Sequence, residues 1–350
     1  MLSLEEFIIN LTQSLPLCVI TFLILGVILV NGWTDAPNAI ATCVSTRSMR
    51  PKSAIIMAAV FNFLGVLVMT MFSSTVAETI HSIANFGDNS QNALIALCAG
   101  LFAIVLWAVF AWFFGIPTSE SHALIAGVSG AAIAIQKGMS GISLYEWKKV
   151  LIGLVLSAVI GFLSGYLITK LIERICKNTD RGKTIPFFKN LQIFSGASMA
   201  FMHGAQDGQK FIGIFLLAFE LSRGITHTDV FEVPFWLIVL CSLVMTIGTS
   251  IGGYKIIKTV GMKMVKMEKY QGASADLASS SSLLVCTLLG IPVSTTQVKT
   301  TAIMGVGASK RISNVNWSIV KNMFLAWIIT FPACGMLGFI TTTIFMKIFM

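Results

Sequence analysis

Two carboxylates stand where an apolar chain should have none. Asp35 lies in "NGWTDAPN" (31–38) and Asp207 in "HGAQDGQK" (203–210), each inside a long hydrophobic run. An ionised Asp at bilayer depth costs at least about 2.5 kcal/mol even on insertion scales, so each must face a partner or a cavity. Gly32 and Pro37, then Gly204 and Gly208, are expected to break the helices there and free backbone carbonyls. Carbonyls, carboxylates and the side chains of Asn31, Thr34, Asn38, Gln206 and Gln209 would form an all-oxygen cluster suited to a hard monovalent cation. Asp35, Asp207, Asn31, Thr34, Asn38 and Gln206 are the expected cation ligands. The bland alternative, Asp and Asn stitching helices together, needs neither the glycines nor a second copy.

A second pair of motifs has the opposite chemistry. "GIPTSESHALIAGVSG" (115–130) and "GIPVSTTQVKTTAIMG" (290–305) share Gly, Ile, Pro, Ser and a final Gly. Pro117 and Pro292 are expected to stop one half-helix, and Ser119, Ser121, Ser294, Thr295 and Thr296 to open the next. Helix N-termini carry unpaired N–H groups and about half a positive charge, and hydroxyls add donors. Two such ends together make an oxyanion cage; singly, each is an ordinary N-cap. Gln209 and Lys210 are placed with the anion, although Lys210 also fits as a partner of Asp207. Glu120, His122 and His203 are candidates for proton linkage. Glu120 reads equally well as turned to water at the mouth, and Lys299 as a snorkelling side chain.

These motifs need helices that cross a membrane. The chain has 350 residues, of which 11% are charged, against about 25% in soluble domains. Runs of roughly 20 apolar residues recur along its length, which excludes a soluble domain and a β-barrel. The net charge of +9 comes from short basic loops at 45–52, 170–189, 254–270 and 309–311. The loops at 74–91 and 219–233 are net acidic. Basic loops belong in the cytoplasm, which puts the N-terminus outside. Lys255, Lys258, Lys263, Lys266 and Lys269 suggest an interfacial helix over 254–270. No basic aromatic surface remains for nucleic acid. The seven cysteines show no CxxC spacing and read as small hydrophobes.

Segments 92–136 and 276–308 are too long for one span and short for two, so each is expected to be a re-entrant hairpin. The Asp motifs lie 172 residues apart and the hairpin motifs 175. The loop after the first Asp motif is basic and the loop after the second is acidic, so the repeats have opposite topology, as in secondary transporters. The expected fold is an all-α polytopic membrane protein: two inverted repeats with broken helices and two re-entrant hairpins, about 10–12 membrane segments counting half-helices. Residues 1–140 form the first repeat, 141–189 a connecting span and basic loop, 190–310 the second repeat and 311–350 a C-terminal span. No HExxH, GxSxG or P-loop motif is present, so no enzyme is expected.

At these residues the chain resembles the inorganic phosphate transporter (PiT) family, bacterial type. "HGAQDGQKFIGIF", "GIPVSTTQ", "AIMGVGASKRISNVNW", "LAWIITFPACG" and "GGYKIIKTVGMKM" all look like that family's stretches. The resemblance implies symport of inorganic phosphate with Na⁺ or H⁺ by alternating access in a bacterial plasma membrane. It implies no cofactor beyond the coupling cation and no partners beyond phosphate and lipid, with a homodimer left open. It places Asp35 and Asp207 at the cation and Ser119, Ser121, Ser294, Thr295 and Thr296 around phosphate. Sulfate or a neutral metal–phosphate complex is the alternative cargo. Three departures stand out. Thr34 and Gln206 replace the family's Asn before each Asp, Gln297 replaces a histidine, and the first tip reads "SES".

Overall fold

The computed structural model describes residues 3–114, 118–224, 231–253, 257–258, 260–261 and 264–349. The first half holds α1 (Leu4–Gln13), α2 (Leu15–Thr34), α3 (Ala36–Ser45), α4 (Pro51–Phe72), α5 (Thr75–His81), α6 (Ser90–Phe114), α7 (Glu120–Gln136) and α8 (Leu144–Ile175). The second holds α9 (Arg181–Ser222), α10 (Phe235–Ile251), α11 (Lys269–Leu288), α12 (Thr295–Lys310) and α13 (Trp317–Phe349). Among the described residues the only β feature is an isolated bridge between Ala84 and Ile142. Helical segments Leu15–Ser45, Pro51–Phe72, Ser90–Ala111, Leu144–Ile175 and Trp317–Phe349 are long and apolar enough to cross a membrane. Along α8, Leu151, Val155, Val159, Leu163, Leu167, Leu171 and Ile175 are all exposed. Their four-residue spacing makes one outward apolar stripe, the kind of surface a membrane-spanning helix presents.

The halves do not pack side by side; they cross. Gly32 of α2 lies against the backbone of Met245 and Gly248 on α10, while Gly204 of α9 lies against that of Asn62 on α4. Gly65 of α4 in turn meets the Phe201 carbonyl of α9. Each Asp-motif glycine therefore fits the other half's next helix. The same exchange recurs later. Gly161 and Gly165 of α8 pack on Val298, Thr301 and Ala302 of α12, and Gly338 of α13 packs on Gly127 of α7. Small residues let membrane helices approach at backbone contact, where dispersion replaces the missing hydrophobic drive.

This corrects one expectation. Gly204 and Gly208 do not break a helix, because α9 runs unbroken from Arg181 to Ser222 through Asp207. Gly208 sits against Val66 of α4, so both glycines serve close packing. In the first half Asp35 is the single residue between α2 and α3, with φ −95° and ψ −38°, and Pro37 follows in the first turn of α3. That is a kink at near-helical dihedrals rather than an unwound segment. Gly204→Ala is expected to destabilise by about 1–3 kcal/mol, because its Cβ meets fixed backbone. Gly26→Ala, with nothing within 4 Å of the new Cβ, is expected to stabilise by up to about 1 kcal/mol. Thermal unfolding of the two variants in detergent checks the contrast.

Segment 92–136 resolves into α6 and α7, antiparallel, with Ile104 on Gly127 and Gly100 on Ala131. Its tip at Gly115, Ile116 and Pro117 lies outside the described residues, as do 225–230 of the acidic loop. In the second hairpin α11 ends at Leu288, before Pro292 is reached. Gly290, at φ +65°, ends the helix in the left-handed conformation that glycine adopts without strain. Of the expected interfacial helix, residues 254–256, 259 and 262–263, including Lys255 and Lys263, lie outside the described residues. Its Val260, Met264 and Val265 are buried in the same apolar cluster as Ala41, Ile303 and Val315, inside the protein rather than against lipid. Lys269 already belongs to α11, whose start is fixed by a Glu268–Gln271 capping box.

Candidate functional site

The N-caps of α7 and α12 meet. Ser119 caps α7 by accepting from the His122 N–H (3.3 Å), and Ser294 caps α12 by accepting from the Gln297 N–H (3.2 Å). The hydroxyl of Ser119 then donates to that of Ser294 at 2.8 Å. Two helix N-termini, with their unpaired N–H groups, thus converge on one buried point. Ser294→Ala removes a cap worth about 1 kcal/mol, and the loss is expected as a lower midpoint in thermal unfolding.

The carboxylates flank this point in crossed fashion. Ser121, on the first tip, lies 3.4 Å from Oδ1 of Asp207 in the second half. Thr296, on the second tip, donates to Oδ1 of Asp35 in the first half at 3.0 Å. Asp207 is saturated. Its Oδ1 also receives the Lys210 ammonium (2.6 Å), and its Oδ2 receives Thr295 (3.1 Å) and Asn31 (3.4 Å). His203 stands 3.4 Å from Oδ2, with its Nδ1 3.0 Å from Asn62 Oδ1. Lys210 is fully buried and uses its remaining donors on Ser121 Oγ (2.7 Å) and the Val293 carbonyl (2.6 Å).

Around Asp35 the balance is different. Asn38 donates to Thr296 Oγ1 at 2.9 Å, and Thr34 donates to Glu120. Glu120 is 5% exposed, so it faces the interior and not water. Among the described residues no Lys, Arg or His lies within ion-pair distance of Asp35 or Glu120. Three buried oxygens here, Asn31 Oδ1, Asn38 Oδ1 and Glu120 Oε2, have no hydrogen-bond donor. Buried acceptors without donors are what a cation satisfies.

Two expected ligands and one candidate for proton linkage make other contacts. Gln206 spends its amide on Thr287 Oγ1 (2.7 Å) and the Ile291 carbonyl (2.9 Å), tying α9 to the second hairpin. Gln209 bonds the Ser73 carbonyl (2.7 Å) and the Val76 N–H (3.2 Å), fixing the α4–α5 link. His122 stacks on Phe331 of α13, centroids 4.6 Å apart. Gln297, in the same register of the second hairpin, donates to the Leu154 carbonyl of α8 at 3.1 Å. Both face the exchanged helices, not the tips.

A second buried polar cluster was not anticipated. Lys299 does not snorkel: it is fully buried and ion-paired with Asp276, which is equally buried. Thr42 donates to both Asp276 oxygens (2.8 and 2.9 Å), and Gln192 bonds the same carboxylate. Offset by 172 or 175 residues, these four positions fall on Ile214, Ile20, Leu101 and Leu124, all buried in one apolar core cluster. The molecule is therefore polar on one side of the tips and dry on the other. Asp276 in "YQGASADLASSSS" carried the same signal as Asp35, a lone carboxylate in a small-residue helix, but it has no duplicate.

A crossed pair of helical halves that brings two carboxylates and two helix N-termini to one buried centre defines a membrane transport protein, not an enzyme. A family model described as "Phosphate transporter family" matches residues 31–186 and 176–338, and the chain belongs to that family. It is 37% identical over 344 residues to a "probable low-affinity inorganic phosphate transporter" of Bacillus subtilis, covering 98% of this chain and all of that one. A protein of the same description from Rhizobium meliloti is 37% identical over 310 residues, 88% of this chain and 90% of that one. A solved structure of a sodium-dependent phosphate transporter superposes with a TM-score of 0.87 at 21% identity, over 96% of this chain and all of that chain. The fold is the same.

Proposed function

We propose that this protein imports inorganic phosphate across the bacterial cell membrane by symport with Na⁺ or H⁺. The observation that carries the reading is the tip-to-tip contact of Ser119 and Ser294, flanked by the crossed contacts of Ser121 with Asp207 and Thr296 with Asp35. The hydroxyls of Ser121, Thr295 and Thr296 and the N-termini of α7 and α12 supply donors for a tetrahedral oxyanion. Asp35, Glu120 and Asp207 face one internal cation, Lys210, so an anion enters only with added positive charge. Either ion alone leaves uncompensated charge in a low-dielectric site, and that penalty couples them. In this reading the halves have inverted topology, α6–α7 and α11–α12 are re-entrant, and α8 and α13 are the third arms. Rocking of one half against the other opens the tips to each side in turn.

Uptake of radiolabelled phosphate into proteoliposomes, with Na⁺ and pH gradients imposed separately, tests it. Saturable uptake driven by one gradient supports the reading. Uptake that is linear in phosphate and indifferent to both gradients would point to a channel and overturn it. Competition by sulfate, and by Mg²⁺, separates phosphate from the alternative cargoes.

A further inference from the structure

The two Asp sites are built from matching positions, yet only one contains a positive charge. At Asp207 the Lys210 ammonium touches three oxygens from three elements. These are the carboxylate of α9 (2.6 Å), the Val293 carbonyl of the second tip (2.6 Å) and the Ser121 hydroxyl of the first tip (2.7 Å). A carboxylate, a backbone carbonyl and a hydroxyl are the ligand set a hard monovalent cation selects. An ammonium has three donors, and all three are used. In the first half the residue in the register of Lys210 is Asn38, 172 positions earlier. There the carboxylate of Asp35, the buried Glu120 and the donor-less oxygens of Asn31, Asn38 and Glu120 meet no basic side chain among the described residues.

We propose that the ammonium of Lys210 fills the cation position of the second half, so that Asp207 holds a tethered cation and only the Asp35 site takes a free one. This deepens the symport reading and rests on it for the Asp35 site. The consequence is a specificity device. A tethered cation is carried through every cycle but never released, so the number of coupling ions is one lower than two symmetric sites would give. Lys210 also fixes the second tip to Asp207 through Val293 whatever the ionic composition outside. Its Ser121 contact ties the first tip to the same ammonium. The Asp35 site, with no such internal cation among the described residues, is balanced only when an ion arrives, so ion dependence is confined to the Asp35 side.

The test is to remove the tether and count ions. Purified full-length protein is titrated with radiolabelled Na⁺ in a scintillation binding assay, with choline as the inert cation. Lys210→Asn, which installs the first half's residue, is expected to bind one more Na⁺ per chain than the unaltered protein. It is also expected to gain a Na⁺-dependent rise in Tm that the unaltered protein lacks or shows more weakly. Asp207→Asn/Lys210→Asn is expected to lose the extra ion. Lys210→Gln serves as a second variant, and a variant that folds only in Na⁺ counts for the proposal. An unchanged count in folded Lys210→Asn and Lys210→Gln overturns it, as does failure of both to fold even in saturating Na⁺. Because the count is made without phosphate, it stands apart from the transport reading. Protein that carries no phosphate but shows the extra ion would sink that reading and leave the tether. Transport with no change in count would do the reverse.

Discussion

Asp207→Asn is expected to bring phosphate uptake down by roughly 100- to 4,000-fold while the protein still inserts. Breaking a buried charge pair costs about 3–5 kcal/mol, and each 1.4 kcal/mol is about tenfold. Asp207 accepts from Lys210, Ser121, Thr295 and Asn31, so the change unfastens both tips at once and leaves the fully buried Lys210 uncompensated. Lower thermal stability should therefore accompany the loss. Asp207→Asn/Lys210→Met should regain stability without regaining uptake, which separates damage to the fold from damage to the site. Asp35→Asn makes the contrast. It strands no basic partner, so it should abolish uptake with little effect on Tm. Proteoliposome uptake paired with thermal unfolding of all three variants reads both quantities. Wild-type uptake in Asp207→Asn would remove this carboxylate from the mechanism.

The second large effect concerns a pair that the transport chemistry does not use directly. Asp276→Asn is expected to destabilise the protein by about 3–5 kcal/mol, since the fully buried Lys299 loses its paired carboxylate. Asp276→Leu/Lys299→Leu should be milder than either single change. It copies the other half, where Leu101 and Leu124 fill the matching positions in a buried apolar cluster. Thr42 and Gln192, which lose their shared acceptor, account for the remaining deficit, because orphaned buried donors cost about 1–3 kcal/mol each. Unfolding midpoints of the single and double variants form the cycle. A double variant as damaged as the singles would show that the pair does more than neutralise itself.

How much of this was legible beforehand differs residue by residue. The two Asp motifs, the hydroxyl-rich tips and their equal spacing stand out in the chain because duplication marks them twice. Membrane residence follows from composition alone, and the family and the long apolar helices agree with it. The meaning of the glycines was not legible. A glycine three residues before an Asp reads as a helix breaker, yet Gly204 lies in an uninterrupted α9 because Asn62 of α4 presses against it. Gln206 and Gln209 look like ligands by neighbourhood but bond to Ile291 and Ser73. Successive residues on a helix point about 100° apart, so proximity along the chain says little about what a side chain meets.

The linear order of residues by itself determined that this is a membrane-embedded helical protein with two acidic motifs and two hydroxyl-bearing motifs at matching spacing. These are local or periodic properties, set by residue type and spacing. Only the tertiary structure decided that the halves cross, that Lys210 lies within reach of three oxygens, and that Asp276 and Lys299 form one buried pair. Such contacts depend on which helix faces meet at backbone distance. That is settled by small residues on partner helices more than 200 positions away, as between Gly32 and Met245, and no window of sequence contains both sides.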